Sequence, residues 1–164
     1  MIIIEKVLLL KNSEIFQNCK EPDLIEIAAI CTESSVDKGV TIFEKGAHGN
    51  CMYFIYSGTV SIHDGAHQLA TLSENEIFGE LSLLDAETRS ASATTVSDCV
   101  LLKIEQEDFY DLLATNTDVL KGIMRTLCKR LREQDRITVE MKRLGAANHT
   151  PTHIPGPHTE PSRE

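Results

Sequence analysis

The residues best suited to chemistry lie in one run, Phe78-Gly79-Glu80-Leu81-Ser82-Leu83-Leu84-Asp85-Ala86-Glu87-Thr88-Arg89-Ser90-Ala91-Ser92. It opens on a glycine and a carboxylate and closes on an arginine among small residues. Gly79 lets the backbone approach a ligand with no Cβ in the way. Arg89 presents a planar fork of donors that matches phosphate oxygens. Glu80 only accepts hydrogen bonds, so it fits a sugar hydroxyl rather than a phosphate. Leu81, Leu83 and Leu84 predict one or two helical turns packed on a core, with free N–H groups at their start that suit an anion. The set describes a pocket for a molecule bearing both a phosphate and a ribose.

Other chemistries find no matching residues. Glu80 and Arg89 make a poor catalytic pair, and no Ser/His/Asp or Cys/His arrangement stands in a suitable context, so an enzyme is not expected. The five cysteines (Cys19, Cys31, Cys51, Cys99 and Cys128) are scattered and form no CxxC pair, which implies reduced thiols and a cytoplasmic setting. His149, His153 and His158 have no carboxylate or cysteine held near them, so no metal is expected. A net charge of −9 and a pI of about 5.1 argue against a nucleic-acid partner, which would need a basic face. An acidic protein that binds phosphate must do it with a local cation, the role read for Arg89.

The 164 residues, 41% of them hydrophobic, predict one domain with tails. Met1 to Leu10 is apolar, but Glu5 and Lys6 interrupt it and it is too short to span a bilayer. It predicts a helix over 2–12, with Ile3, Val7 and Leu10 at helical spacing, and no direct membrane insertion. Pro22 begins a second helix, with Leu24, Ile27 and Ala28 on one face. From Thr32, short apolar runs punctuated by Gly39, Gly46, Gly49, Gly58, Gly65 and Gly79 read as strands and turns. Strands are expected at 41–43, 52–56, 58–62, 68–72, 93–96 and 99–104, with Asp64-Gly65 as a hairpin turn. Many short strands argue for a sandwich or jelly roll. A helix follows over 106–113, and another, capped by Thr117 or Asp118, runs to about Leu144. Its apolar positions Leu120, Ile123, Leu127, Ile137, Met141 and Leu144 approximate a heptad seam broken by Arg130 and Gln134. Strands and cassette lie upstream of this helix, so the fold is expected to survive truncation after Thr117. The Pro- and Thr-rich residues from Gly145 onward read as disordered.

The run from Phe78 resembles the phosphate-binding cassette of the cyclic-nucleotide-binding domain family, the family of the bacterial catabolite activator, the regulatory subunits of cAMP-dependent protein kinase and the cyclic-nucleotide-gated channels. That cassette reads F-G-E-L, a short variable run, then R-[ST/A]-A. Phe78, Gly79, Glu80, Leu81, Arg89, Ser90 and Ala91 match it position by position. The likeness extends over roughly Phe16 to Leu131, through Lys38-Gly39 with Ile42, Gly46 with Gly49, Tyr53 with Ile55, and Gly58 with Val60. Asn50-Cys51 departs from the commoner acidic-polar pair and is expected to be a surface detail; the glycines other than Gly79 are expected to serve turn geometry.

The resemblance implies a mainly β fold, a double-stranded jelly roll flanked by helices. A helical lead-in would occupy 1–31, the β-roll 32–105 with its cassette at 78–92, C-terminal helices 106–144 and a tail 145–164. It implies that Glu80 takes a ribose 2′-hydroxyl and Arg89 a cyclic phosphate, with added donors from the backbone of Leu81 and Ala91 and the Ser90 hydroxyl. The ligand would be cAMP or cGMP, with cAMP preferred; Ser90 does not decide between them. Family members cover the base with a residue from the C-terminal helices, and Ile123, Leu127 and Arg130 are the candidates here. The helix after Asp118 would then act as a moving lid, and 118–144 could contact an effector region of a parent protein or pair two chains. The competing reading is a domain of the same fold that has lost its ligand and serves as a structural or interaction module.

Overall fold

The computed structural model describes residues 1–85 and 88–147. Eight strands form two four-stranded antiparallel sheets. The first holds β1 (Thr32–Val36), β8 (Cys99–Glu105), β3 (Cys51–Ser57) and β6 (Ile77–Phe78), in that order. The second holds β2 (Thr41–Phe43), β7 (Ser92–Thr95), β4 (Val60–Asp64) and β5 (His67–Leu72). Ile55 and Leu101 from the first sheet meet Val60 and Ala93 from the second in one buried cluster, which closes the expected jelly roll. The Asp64-Gly65 turn is a hairpin: Asp64 pairs with His67, and Gly65 supplies a φ of +57°. β1 and β6 were not among the expected strands. The sequence of β1 is polar apart from Val36 and β6 has two residues, so neither carries an apolar alternation.

Helices α1 (Ile3–Asn12) and α2 (Glu21–Ile30) precede the sheets, and α4 (Gln106–Thr115) and α5 (Thr117–Ala147) follow them. The first two start alike: Glu5 accepts from the Ile2 N–H at 2.8 Å, and Asp23 from the Lys20 N–H at 3.3 Å. Leu9, Leu10, Leu24 and Ile27 from these helices join Met52, Phe54 and Leu102 from the first sheet in a second buried cluster. Phe16 stands at its centre, with its ring centroid 6.0 Å from those of both Phe54 and Phe109. Burial pushes the thiol of Cys31 up to about 12, and burial followed by the Asp23 charge pushes that of Cys19 up to about 11. Both remain protonated at neutral pH.

The start of α5 corrects two expectations. The cap is Asn116, whose Oδ1 accepts from the backbone N–H groups of Asp118 at 3.0 Å and Val119 at 3.3 Å, rather than Thr117 or Asp118. Val119 and Ile123 are buried among the residues of the helix-side core, so truncation after Thr117 would open that core rather than leave it intact. Asn18 Nδ2 donates to Thr126 Oγ1 at 2.9 Å, and a Cβ on Gly122 would stand 2.7 Å from Cys19 Sγ. The chain divides into two units, Met1–Leu127 and Cys128 onward. In the second, the helix continues through Ala147, past the expected end at Leu144, with Leu131, Ile137, Met141 and Leu144 exposed. The expected tail from 148 onward, with its three histidines, lies outside the described residues. Among the described residues no helix is long and apolar enough to cross a membrane, and no group of three or more His, Cys, Asp or Glu is placed to hold a metal ion.

Candidate functional site

Arg89 is held mainly by backbone groups. Its own N–H donates to Ala47 O at 2.8 Å, and its carbonyl accepts from Gly46 N at 2.8 Å. That pairing fixes the start of the guanidinium arm. The residue as a whole is 6% exposed. Nη2 donates to Cys51 O at 2.8 Å and to Cys51 Sγ at 3.4 Å, and Nη1 donates to Gly79 O at 3.3 Å. The guanidinium carbon sits 4.0 Å over the Phe43 ring. Gly79 has φ +76°, and a Cβ there would fall 2.4 Å from Arg89 Nη1, so this glycine is needed for both conformation and space.

What Arg89 lacks is an anion. Among the described residues no carboxylate pairs with it, and its Nε is buried without any hydrogen-bond partner. A buried cation with only neutral partners is costly unless something else neutralises it. Arg89 lines a cavity of about 320 Å³, near the lower end of the roughly 300–1,000 Å³ usual for small-molecule sites. Glu80, Ser82, Thr88, Arg89 and Ser90 make one wall polar, while Phe43, Ile62, Leu72, Ile77 and Phe78 make another apolar. The Glu80 carboxylate has no protein partner among the described residues. One end therefore offers a cation and the same wall offers a free acceptor, beside a surface suited to a flat apolar group.

Aromatic packing stiffens the apolar wall. Tyr53 stacks on Phe78 at 5.1 Å, and Phe78 lies 5.8 Å from Phe43. Burial first, and then the hydrogen bond from the Cys51 thiol, hold the Tyr53 phenol protonated well above its ordinary value. Helix α3 (Leu81–Leu84) is anchored from below. Gln106 Nε2 donates to Ser82 O at 3.0 Å and to Leu83 O at 3.3 Å, and Tyr110 OH donates to Leu84 O at 2.8 Å.

All seven expected ligand residues, Phe78, Gly79, Glu80, Leu81, Arg89, Ser90 and Ala91, line this cavity. Ile123 and Leu127 do not: Ile123 is 2% exposed within the helix-side core, and Leu127 packs on the same cluster. Arg130 is half-buried in the unit that begins at Cys128. Three residues beside Arg89 were given no role at the site by the sequence. Cys51 corrects the expectation of a surface detail, because it is 7% exposed and touches the guanidinium; Asn50 beside it is exposed. Gly49 is not a turn glycine of positive φ: a Cβ there would fall 2.3 Å from Ser82 Oγ and 2.6 Å from Arg89 Nε. Phe43 was read only as a strand residue. Each lies some forty residues from Arg89 in sequence, beyond the reach of a local motif.

The cyclic nucleotide-binding domain family matches residues 33–116, about half of the chain. A cyclic AMP receptor protein of Thermus thermophilus is 35% identical over 132 residues, which are 77% of this chain and 61% of the relative. The N-terminal domain of a transcriptional regulator from Streptomyces coelicolor superposes with a TM-score of 0.74 at 26% identity, over 79% of this chain and 93% of that one. The regulatory domain of Toxoplasma gondii PKA, solved with cAMP, superposes with a TM-score of 0.63 at 25% identity, over 67% of this chain and 44% of that one. The chain spans about three fifths or less of the curated relatives it matches. One of the similar structures is part of a transcriptional regulator, so the expectation of no nucleic-acid partner rests on charge alone.

Proposed function

The chain belongs to the cyclic nucleotide-binding domain family, and from that membership we propose that its cavity takes a 3′,5′-cyclic purine nucleotide, with cAMP preferred over cGMP. One observation carries the reading: among the described residues, the buried guanidinium of Arg89 has neutral partners only and an unpartnered Nε. A cyclic phosphate would supply the missing charge. Glu80 would accept from the ribose 2′-hydroxyl, and the apolar wall would take the base. Ser90 and the backbone N–H groups of Leu81 and Ala91 would complete the phosphate contacts. Calorimetric titration with cAMP, cGMP and their linear 5′-monophosphates tests this. Binding of a cyclic nucleotide, with the linear forms weaker, is expected. No binding of any of them would favour the second reading, a structural or interaction module, against which the uncompensated Arg89 stands.

The function is regulatory: binding would be transmitted by movement of α5, and Ile123 and Leu127 would have to leave the helix-side core to serve, with Arg130, as its lid. Support comes from the ties between cassette and helices. Gln106 and Tyr110 hold the carbonyls of α3 from α4, and α4 leads through Asn116 into α5. A ligand that displaces α3 would pull on that chain of contacts, in proportion to its preference for one position over another. Hydrogen exchange over 118–144 with and without nucleotide measures it, and equal protection in both states would remove α5 as the switch. The exposed side chains of Leu131, Ile137, Met141 and Leu144 support a contact of 118–144 with an effector region or a second copy.

A further inference from the structure

The cavity holds few charges, and they balance. Of the described residues that line it, Arg89 alone is a cation and Glu80 alone an anion. The other titratable groups around the guanidinium are neutral. The Cys51 thiol lies 3.4 Å from Nη2, and beyond it the Tyr53 phenol is kept protonated by burial. Lys103, opposite Tyr53 on β8, is paired with Glu105. His48, bridged to Thr88 through the backbone, is exposed and does not line the cavity. The Glu80 carboxylate, on the same wall as Arg89, has no protein partner among the described residues.

A phosphodiester carries a single negative charge, and a phosphomonoester carries a second one above a pKa of about 6. Arg89 can neutralise only the first. The desolvation cost of an ion grows with the square of its charge, so a second charge left unpaired in the cavity is the more expensive. It would also meet Glu80 as a like charge. Resting on the nucleotide reading above, we propose that the cavity selects by charge: it admits a singly charged phosphate, and Glu80, besides its ribose contact, helps to refuse a doubly charged one. A linear nucleotide then enters only with a proton bound, as the monoanion. Hydrolysis of a cyclic diester frees one ester oxygen as a hydroxyl and gives the phosphate a second ionisable proton. The class of reaction that opens the ring therefore also makes its product a poor ligand at neutral pH.

The test is the affinity of the whole chain for cAMP, for 5′-AMP, and for the methyl ester of the 5′-AMP phosphate, which is linear yet singly charged. Each is titrated from about pH 5 to about pH 8, across the second pKa of the monoester. The affinity for 5′-AMP is expected to fall about hundredfold over that range, roughly tenfold for each pH unit above that pKa. cAMP and the methyl ester keep one charge throughout, so both are expected to stay constant within about threefold. They also report any protein group that titrates, His48 included. Glu80→Gln removes a like charge along with the hydroxyl contact, so it is expected to narrow the ratio of cAMP to 5′-AMP affinity at the upper pH by about threefold or more. A methyl ester as weak as 5′-AMP at the upper pH overturns the inference, because shape rather than charge then rejects the linear form. A 5′-AMP affinity that stays parallel to that of cAMP across the range overturns it as well. An unchanged ratio in Glu80→Gln overturns the part given to that residue. No binding of any cyclic nucleotide by the wild type overturns the reading on which this rests and this inference with it.

Discussion

The helix-covered side of the roll and its cavity side spend their polar groups in opposite ways. On the helix side, Phe16, Phe54 and Phe109 close a core with 6.0 Å ring contacts, and the buried polar side chains there, Ser13, Asp23 and Thr126, all have partners. On the cavity side, among the described residues, a guanidinium is buried with its Nε unpartnered, and the Glu80 carboxylate that lines the same cavity has no partner. The first region is complete within the protein. The second would be completed, on the function proposed above, by an outside molecule that brings an anion and a donor. The difference teaches where stability and function reside in one small fold, and it can be broken by substitution.

The largest effect is expected on the helix side. Phe109→Ala should cost about 3–5 kcal/mol of folding stability, because the side chain is fully buried and its neighbours cannot collapse into the space. Chemical denaturation reads it directly. Arg89→Ala should do the reverse: a loss of roughly 2–5 kcal/mol in nucleotide affinity, thirtyfold or more, with less than half the stability loss of Phe109→Ala. Its removal deletes a buried charge along with its hydrogen bonds to Gly79 and Cys51. Should Arg89→Ala destabilise as much as Phe109→Ala, the arginine is a structural cross-link, and the contrast between the two sides fails.

Legibility in the sequence follows the same divide. The cassette could be read because its residues are contiguous, and a contiguous set keeps its spacing whatever the fold does. The strands could be read where glycines and a hairpin turn bounded apolar runs, as at Asp64-Gly65. The wall behind Arg89 could not be. Phe43, Gly49 and Cys51 reach it through tertiary packing, and nothing near them in sequence distinguishes a buried thiol on a guanidinium from a surface cysteine. The heptad reading of α5 mistook one apolar face for another: Ile123 belongs to the core with Val119, and periodicity alone cannot say which surface an apolar stripe covers.

A smaller effect separates the two polar groups within the cavity itself. Glu80→Gln should weaken a cyclic nucleotide by about tenfold, the scale of a hydrogen bond to a charged acceptor. The 2′-deoxy analogue should be affected less, since it offers no hydroxyl to that carboxylate. The two titrations, run on both proteins, form a double-mutant cycle. An equal deoxy penalty in wild type and variant would place the 2′-hydroxyl elsewhere and leave Glu80 without its role.

The smallest effect expected lies where the complete region hands over to the helix proposed to move. Asn116 caps α5 through Oδ1 and, through Nδ2, donates to Glu26 Oε2 at 2.9 Å and Asp23 Oδ1 at 3.3 Å on α2. Asn116→Ala removes both functions and should cost about 1 kcal/mol of stability, within the usual range for a lost N-cap. Asn116→Asp separates them. An aspartate still accepts from the Asp118 and Val119 N–H groups, so the helix start is kept. It no longer donates, and it sets a third carboxylate beside Asp23 and Glu26, where like charges repel. Its cost should therefore exceed that of Asn116→Ala near neutral pH and shrink as the medium is acidified toward the carboxylate range. If Asn116→Asp is instead as stable as the wild type at neutral pH, the amide's bonds to α2 contribute nothing, and the start of α5 is fastened by its cap and the burial of Val119 and Ile123 alone.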